Sequence, residues 1–141
     1  MGLILTDEGA TAELEILFNN VRATGGNNLT LKLFCNDQTP VDTHTSVDYT
    51  EAAGGGYAAK ALTMGSWIVS TVSNIVQAAY AQQAWSFTGA LTTNPTVYGY
   101  YIVDADGEVF WAERLPTSFT PVNGAVLNIT PKRQQSKGTP S

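Results

Sequence analysis

Residues 98–114 read YGYYIVDADGEVFWAER, two runs of aromatic and β-branched residues on either side of a turn signal. Tyr98–Asp104 and Glu108–Arg114 have the composition typical of β-strands. The DADG segment at 104–107 favours a tight reversal of the chain between them. The stretch therefore predicts an antiparallel β-hairpin.

Similar short runs lie on both sides of this hairpin. Leu29–Cys35 alternates apolar and polar residues, and Ser73-Asn74 separates two β-rich runs that predict a second hairpin. The remaining predicted strands share the same composition: Tyr57–Thr63, Trp67–Val72, Ile75–Tyr80 and Val126–Thr130. Strands and helices do not alternate, so a parallel sheet is not expected. The pattern predicts a mainly β fold, an antiparallel β-sandwich or jelly-roll-like domain.

One helix is predicted before the strands, over residues 7–22. Its apolar residues recur at helical spacing, at Leu14, Leu17, Phe18 and Val21. The Gly-Gly-Asn-Asn segment at 25–28 ends it. We expect a single β-rich domain over residues 1–131, with strands from residue 29 onward, and a basic, flexible tail over residues 132–141.

Charge is scarce and unevenly distributed. Only 13% of the residues are charged and the net charge is -5, whereas about 25% are charged in an average soluble domain. Nucleic-acid binding requires clustered Lys and Arg, so no nucleic-acid partner is expected. There is no Asp, Glu, Lys or Arg between Lys60 and Asp104. Because charges usually protect exposed strand edges, this segment predicts strands that are buried or covered by another subunit of a homo-oligomer. A monomer with a neutral, polar surface is the alternative.

Titratable residues give weak signals for catalysis. Cys35, the only cysteine, lies in an apolar run as a buried small residue would, and His44 lies in a Thr-rich loop. A glycosidase carboxylate pair could be drawn from Glu51, Glu108 and Glu113, but chance offers such pairs in any β-protein with this many acidic residues. The DADG segment resembles the opening of a calcium loop, although its strand flanks favour a hairpin turn. We expect no enzymatic activity, no cofactor and no metal site.

The sequence gives no signal for a membrane. The N-terminal residues MGLILTDE lack a basic region and are not expected to be a signal peptide. Met64–Trp85 is uncharged but contains too many polar residues for a membrane span. We expect a chain made and kept in a reducing cytoplasm, without a membrane anchor.

Aromatic residues in the uncharged segment are candidates for an oligomer interface. They are Trp67, Trp85, Tyr98, Tyr100 and Tyr101. Interface cores are enriched in aromatic side chains, and the domain core uses the same residues. If exposed, these residues together with Trp111 could instead form a platform for binding sugars.

Several short phrases follow one another along the chain: LKLF at 31–34, ND at 36–37, TP at 39–40, Glu51, GYA at 56–58, Trp67, YAQQ at 80–83, Trp85, Phe87, VYGYY at 97–101, Asp104, Gly107, WAER at 111–114 and TPK at 130–132. In this order they resemble a family of small virion proteins of tailed bacteriophages, over about residues 6–133. Similar proteins include capsid cement (decoration) proteins, which clamp neighbouring capsid subunits from outside the shell. The resemblance implies a β-rich body, homo-oligomers that are often trimers, and no enzymatic activity. It implies the major capsid protein as a partner and a place on the capsid exterior of a virion made in the bacterial host cytoplasm.

A cement protein needs polar outer faces and one or two adhesive faces. The candidates for capsid contact lie at the two ends of the chain: Gly2, Leu3, Ile4, Leu5, Lys132, Arg133 and Lys137. A flexible cationic tail gains order when it docks on an acidic groove. The alternative function is a tail or head-fibre module that recognises host glycans through exposed aromatic residues.

Overall fold

Nine β-strands make up nearly half of the chain that the structure describes. The structure is a computed structural model, and it describes Leu14 and residues 28–136. The strands are β1 (Leu29–Phe34), β2 (Lys60–Leu62), β3 (Ile68–Val72), β4 (Ile75–Ala79), β5 (Gln83–Ser86), β6 (Val97–Val103), β7 (Val109–Phe119), β8 (Val126–Ile129) and β9 (Lys132–Ser136). A 3₁₀ turn at Ser46–Asp48 lies in the loop between β1 and β2.

The strands within residues 28–136 pair in three antiparallel sheets. Sheet 1 has the order β2-β1-β6-β7, sheet 2 has the order β3-β4-β9, and sheet 3 pairs β5 with β8. In sheet 1, Leu31 lies opposite Lys60 on one side and Ile102 on the other. The prediction of a mainly β, antiparallel fold is confirmed.

Both predicted hairpins are present. Ser73 and Asn74 have φ angles of 48° and 67°, and a two-residue loop with positive φ at both positions gives the turn whose twist suits a hairpin. In the β6–β7 turn, the Oδ1 atom of Asp104 accepts hydrogen bonds from the backbone N–H groups of Asp106 at 3.0 Å and Glu108 at 2.9 Å. The DADG segment is thus a hairpin turn closed by its own first carboxylate.

The main core lies on one face of sheet 1. Leu29, Leu31 and Leu33 of β1 are buried there, as their alternation predicts. The same cluster contains Val76 of β4, so sheet 2 also contributes to this core. The rings of Trp67, directly before β3, and Trp111 of β7 meet edge to face with their centres 6.0 Å apart. This ring contact connects sheet 1 with sheet 2.

The opposite face of sheet 1 carries a smaller aromatic cluster. The ring of Tyr49, from the loop after β1, stacks on Tyr101 with their centres 5.0 Å apart, and it lies equally close to Phe34. Gly99 of β6 lies directly opposite Phe34. A Cβ atom at Gly99 would collide with the Phe34 ring and with the carbonyl oxygen of Glu113. Glycine is therefore required where the Phe34 ring crosses β6.

The prediction of a flexible tail from Lys132 onward is wrong for residues 132–136. These residues form β9, and Lys132 and Gln134 lie opposite Ala79 and Gln77 of β4. Their polar composition conceals the strand, because β9 is positioned by its ladder with β4 and not by an alternating apolar face. Residues 137–141 lie outside the part of the chain that the structure describes.

An unpredicted strand and a longer strand also differ from the sequence prediction, and one predicted element is not covered. Strand β5 (Gln83–Ser86) is not predicted, because Trp85 is its only large apolar residue, and β7 continues beyond Arg114 to Phe119. The predicted helix over residues 7–22 lies outside the described residues except for Leu14, which is buried in the main core. The single domain over residues 1–131 stays a prediction.

Candidate assembly surface

Four aromatic residues predicted for an oligomer interface are almost completely buried inside the chain: Trp67, Trp85, Tyr100 and Tyr101. Trp85 donates its indole N–H to the carbonyl of Ala58 at 2.7 Å, and the Tyr100 hydroxyl donates to Oε2 of Glu113 at 2.6 Å. The prediction that these four side chains form a subunit interface is therefore wrong. They pack the interior of the chain, the commoner use of large aromatic side chains in strands.

The fifth predicted interface residue, Tyr98, is half-buried beneath an arginine. The guanidinium carbon of Arg114 lies 5.2 Å from the centre of the Tyr98 ring. Arg114 also donates to Oδ1 of Asp37 at 2.7 Å and to the carbonyl of Gln38 at 3.0 Å. Arg114 thereby connects the loop after β1 to strand β7, and the Tyr98 ring packs against its guanidinium.

Among the predicted capsid contacts, Lys132 and Arg133 belong to β9, whereas Gly2, Leu3, Ile4, Leu5 and Lys137 lie outside the described residues. Both Lys132 and Arg133 are exposed. Pairing with β4 fixes their backbone, and successive side chains of a strand point to opposite faces of its sheet. The two positive charges are therefore presented in defined directions, one on each side of sheet 2.

The outer face of sheet 2 is apolar and nearly uncharged. On this side, which we call the neutral face, the register places one charged residue, Lys132 at the β9 edge, together with the uncharged residues Ile68, Ser70, Val72, Ile75, Gln77, Ala79 and Gln134. Ile68 is 71% exposed and Val72 is 54% exposed. The side-chain amide of Gln134 donates to Oε1 of Gln77 at 3.2 Å, which links β9 to β4 across this face. The opposite side of the same sheet carries the buried residues Val76 and Ala78.

Strand β3 is an edge of sheet 2, and within residues 28–136 no strand pairs with its outer side. All five of its residues pair with β4 in continuous register, and it contains neither a charged residue nor a proline. Natural edge strands usually carry charges, proline or a bulge that discourage pairing with another chain. Strand β7, at the edge of sheet 1, has such features, because it contains Glu113, Arg114 and Pro116. The β3 edge is therefore unusually open to a further strand.

A cleft of about 310 Å³ lies between the loop after β1 and strand β7. Its lining includes Asp42, His44, Tyr49, Trp111 and Arg133. His44 is engaged at both ring nitrogens: Nδ1 lies 3.1 Å from the Tyr49 hydroxyl, and Nε2 lies 3.0 Å from the side-chain amide of Gln38. These contacts make His44 a brace of the loop that forms one wall of the cleft.

Two of the glutamates considered for catalysis accept hydrogen bonds from tyrosines. Glu51 accepts from Nζ of Lys32 at 3.0 Å and from the Tyr57 hydroxyl at 3.1 Å. The same hydroxyl accepts the backbone N–H of Leu33 at 3.2 Å. Burial, more than the neighbouring Glu51, raises the pKa of Tyr57 well above its ordinary value, so this phenol stays protonated. These hydrogen bonds hold β1 at the point where its backbone pairing with β2 has ended.

The second tyrosine–glutamate contact lies in β6 and β7. Burial, followed by the hydrogen bond to Glu113, raises the pKa of Tyr100. A protonated phenol that donates to a carboxylate suits a structural contact between neighbouring strands. Glu51 and Glu113 thus each have a defined structural partner.

Cys35 and Asp104 also have structural surroundings. The Cys35 thiol is buried with its sulfur 3.4 Å from the carbonyl oxygen of Thr50, and burial raises its pKa, which disfavours the reactive thiolate. Asp104 closes the β6–β7 turn. In the part of the chain that the structure covers, no three or more His, Cys, Asp or Glu residues are grouped so as to hold a metal ion.

The sequence did not show that the neutral face and the open β3 edge are exposed and do not belong to the core. The residues Ile68, Ser70 and Val72 alternate with Val69 and Thr71, but both sets contain β-branched residues. The pattern therefore indicates a strand without showing which side faces solvent. The outer side can be assigned only from the structure, in which Val76 and Ala78 are buried in the main core.

No helix in the described residues is long and apolar enough to cross a membrane. Comparisons with protein-family models, with curated proteins and with solved structures gave no match to this chain.

Proposed function

We propose that this protein is a capsid cement (decoration) protein of a tailed bacteriophage, which binds the outer shell as a homo-oligomer and stabilises contacts between capsid subunits. Its partners are further copies of itself, with a trimer expected, and the major capsid protein. Its place is the capsid exterior of a virion assembled in the host cytoplasm. The proposal rests on the ordered sequence phrases that resemble such proteins and on the neutral face beside the open β3 edge.

The neutral face supports self-association because its β3 and β4 residues carry no charge, and the positive charge of Lys132 lies at its β9 edge. Exposed aliphatic side chains at Ile68 and Val72 lose contact with water when a second copy covers them. The adjacent β3 edge offers backbone hydrogen-bonding groups to the same neighbour. The observation that carries the proposal is this combination of an apolar face and an unprotected edge on one strand.

Because the neutral face is small, attachment to a capsid shell would be needed as well to hold several copies together. Three strands about 4.8 Å apart and five residues long cover roughly 250 Å², whereas a stable interface takes about 800 Å² from each partner. Contacts between copies through this face alone are therefore weak. Simultaneous attachment of several linked copies to a shell raises the overall affinity without any new contact, which is how a cement protein would act.

The architecture that we propose is a β-sandwich or jelly-roll-like domain with one N-terminal helix over residues 7–22. Sheets 1 and 2 both contribute to the main core, and the Trp67–Trp111 contact joins them. Leu14, from the predicted helix, is buried in that core. These contacts support two layers with the helix packed against them.

The glycan-binding alternative has less support from the structure. It needs exposed aromatic rings, and Trp67, Trp85, Tyr100 and Tyr101 are buried. A sugar-binding platform built from these residues is therefore not available on the surface.

Electron microscopy of virions that contain the protein tests its location. We expect density that repeats over the shell, and density confined to the tail would contradict the proposal. Heating particles with and without the protein tests the stabilising role, because a cement protein raises the temperature at which the shell ruptures. Equal rupture temperatures would contradict that role.

Self-association is tested with matched lysine substitutions. Val72→Lys places a charge on the neutral face, whereas Val122→Lys introduces the same change at a valine that is 60% exposed elsewhere. Sedimentation or native mass spectrometry of the wild-type chain at increasing concentration is expected to show oligomers. Val72→Lys is expected to shift them to monomers, and Val122→Lys is not. Oligomers that resist Val72→Lys would exclude the neutral face as the contact.

A further inference from the structure

Residues 36–50, the first part of the loop after β1, form a closed segment that we call the braced loop. Its two ends meet at Asn36, whose side-chain amide donates to the carbonyl of Asp48 at 2.8 Å. The Oδ1 atom of the same Asn36 accepts the backbone N–H of Thr50 at 2.8 Å. A compact surface loop whose ends are close together and held by its own side chains is frequently a functional segment.

The middle and the tip of the braced loop are held by further side-chain contacts. The ring of His44 lies 3.1 Å from the Tyr49 hydroxyl. At the tip, the backbone N–H of Thr45 donates to Oδ2 of Asp48 at 2.8 Å, which caps the 3₁₀ turn. The braced loop contains no glycine, and Pro40 restricts it further. Because the loop is already ordered, little conformational entropy is lost when a partner binds it.

This ordered loop holds apolar side chains in water. Val47, in the 3₁₀ turn, is 89% exposed, more than any other large apolar side chain of residues 28–136, and Val41 is 53% exposed. A valine side chain has few rotamers, so its burial against another molecule costs little side-chain entropy. Such a side chain on a fixed turn suits insertion into an apolar recess of a partner.

We propose that the braced loop is the surface through which the protein contacts the capsid shell. Val47 inserts into an apolar recess of the major capsid protein, and the carboxylate of Asp42 lies beside a Lys or Arg of that protein. This inference rests on the proposed function, because it names the surface that binds the shell.

The charge of the braced loop favours a different protein over a second copy of this chain. Asp42 is exposed, and among the described residues no ion pair or hydrogen bond involves its carboxylate. Asp37, by contrast, is paired with Arg114. A second copy brings the same acidic loop on a chain whose net charge is -5. Electrostatic complementarity therefore favours a basic region of another protein.

The position of the braced loop leaves the neutral face free for a neighbouring copy. Tyr49 of the loop packs with Phe34 and Tyr101 on the outer side of sheet 1. The neutral face is the outer side of sheet 2, and the main core, which contains Leu33 and Val76, lies between the two. The shell and a second copy can therefore be bound at the same time, as attachment through several linked copies requires.

Matched substitutions at two exposed valines test the inference. The probe is an empty shell assembled from the major capsid protein alone, and the readout is the affinity of the full-length protein for it. Val47→Asp brings a charge into the apolar recess, so we expect binding at least about tenfold weaker. Val122→Asp makes the same change at a valine that is 60% exposed outside the braced loop. It is expected to alter the affinity less than about twofold.

The salt dependence of binding tests the role of Asp42. An exposed ion pair is screened by salt, so wild-type binding is expected to weaken between about 0.05 and about 0.5 M sodium chloride. Asp42→Asn is expected to bind more weakly at low salt and to lose most of this dependence. Val122→Asp keeps Asp42 and is expected to keep the salt dependence of the wild type.

Photo-cross-linking identifies the molecule that covers Val47. A benzophenone amino acid is placed at position 47, and the protein is irradiated in the presence of the same shells. The expected product joins one copy of this chain to one major capsid protein. The same amino acid at position 122 is expected to give no such product.

The outcomes separate this inference from the proposed function. If the wild type does not bind the shells, both are overturned. If the wild type binds and Val47→Asp binds equally well, the braced loop is not the contact, whereas the cement function stands. A cross-link from position 47 to a second copy of the chain, or an unchanged salt dependence in Asp42→Asn, would likewise overturn the inference alone.

Discussion

The guanidinium of Arg114 lies 2.7 Å from the carboxylate of Asp37, and this contact fastens the loop after β1 to strand β7. The same guanidinium donates to the carbonyl of Gln38 and covers the ring of Tyr98. The loop carries Tyr49, which completes the aromatic cluster on the outer side of sheet 1. Arg114 therefore influences the packing of a residue that it does not touch.

Replacing Arg114 is expected to destabilise the protein more than replacing Asp37. The Asp37 side chain is 69% exposed, and exposed ion pairs contribute about 0–1 kcal/mol. Arg114→Ala also removes the hydrogen bond to Gln38 and the contact with the Tyr98 ring, so we expect a loss of about 1–2 kcal/mol in the free energy of unfolding. Asp37→Asn is expected to cost less than about 0.5 kcal/mol. Urea denaturation measures both, and equal effects would show that the ion pair alone anchors the loop.

The hydroxyl of Tyr57 is expected to contribute more to the free energy of unfolding than the hydroxyl of Tyr98. Tyr57→Phe leaves the backbone N–H of Leu33 without its acceptor and removes one donor to Glu51. A buried polar group that loses its partner costs about 1–3 kcal/mol, so we expect a loss of that size in urea denaturation. Tyr98→Phe, which keeps the ring beneath Arg114, is expected to change stability by less than about 0.5 kcal/mol. A neutral effect of Tyr57→Phe would mean that Leu33 finds another acceptor.

Most of the strands could be predicted from the sequence because their residues carry the signal locally. The alternation of Leu29, Leu31 and Leu33 and the turn residues Ser73-Asn74 specify a face and a reversal without reference to distant parts of the chain. Strand β9 could not be predicted in this way. Its polar residues form a strand because β4 offers a partner, and pairing between distant segments leaves no local pattern.

The candidate surface was harder to predict than the strands. An aromatic residue in a β-rich run suits a core and an interface equally well, so composition alone could not place Trp67 and Trp85 inside. The absence of charge between Lys60 and Asp104 did point to the part of the chain that contains the open β3 edge. Which of its residues are exposed depends on the packing of β4 against sheet 1.

A methyl group at Gly99 is expected to be far more damaging than one at Gly89. In Gly99→Ala the new Cβ would collide with the Phe34 ring and with the carbonyl oxygen of Glu113, a backbone atom that cannot move away independently. Overpacking of this kind costs about 1–3 kcal/mol or more. At Gly89 a Cβ would meet no atom within 4 Å, so Gly89→Ala is expected to shift stability by less than about 0.5 kcal/mol. Thermal and urea denaturation test this contrast, and similar effects of the two substitutions would contradict the packing of Phe34 over β6.

Stability is expected to fall above pH 10, in part because of Tyr101. Burial, with a smaller contribution from the charge of Glu51, raises the pKa of Tyr101 from 10.0 to about 12. Between these values the unfolded chain loses the phenolic proton while the folded chain retains it, so rising pH favours unfolding in this window. Tyr101→Phe lacks this proton. The difference in unfolding free energy between the variant and the wild type is expected to stay constant from pH 7 to 9 and then to shift in favour of the variant by about 1 kcal/mol at pH 11. Urea denaturation at each pH provides the comparison, and parallel curves up to pH 11 would show that the Tyr101 phenol ionises equally readily in both states.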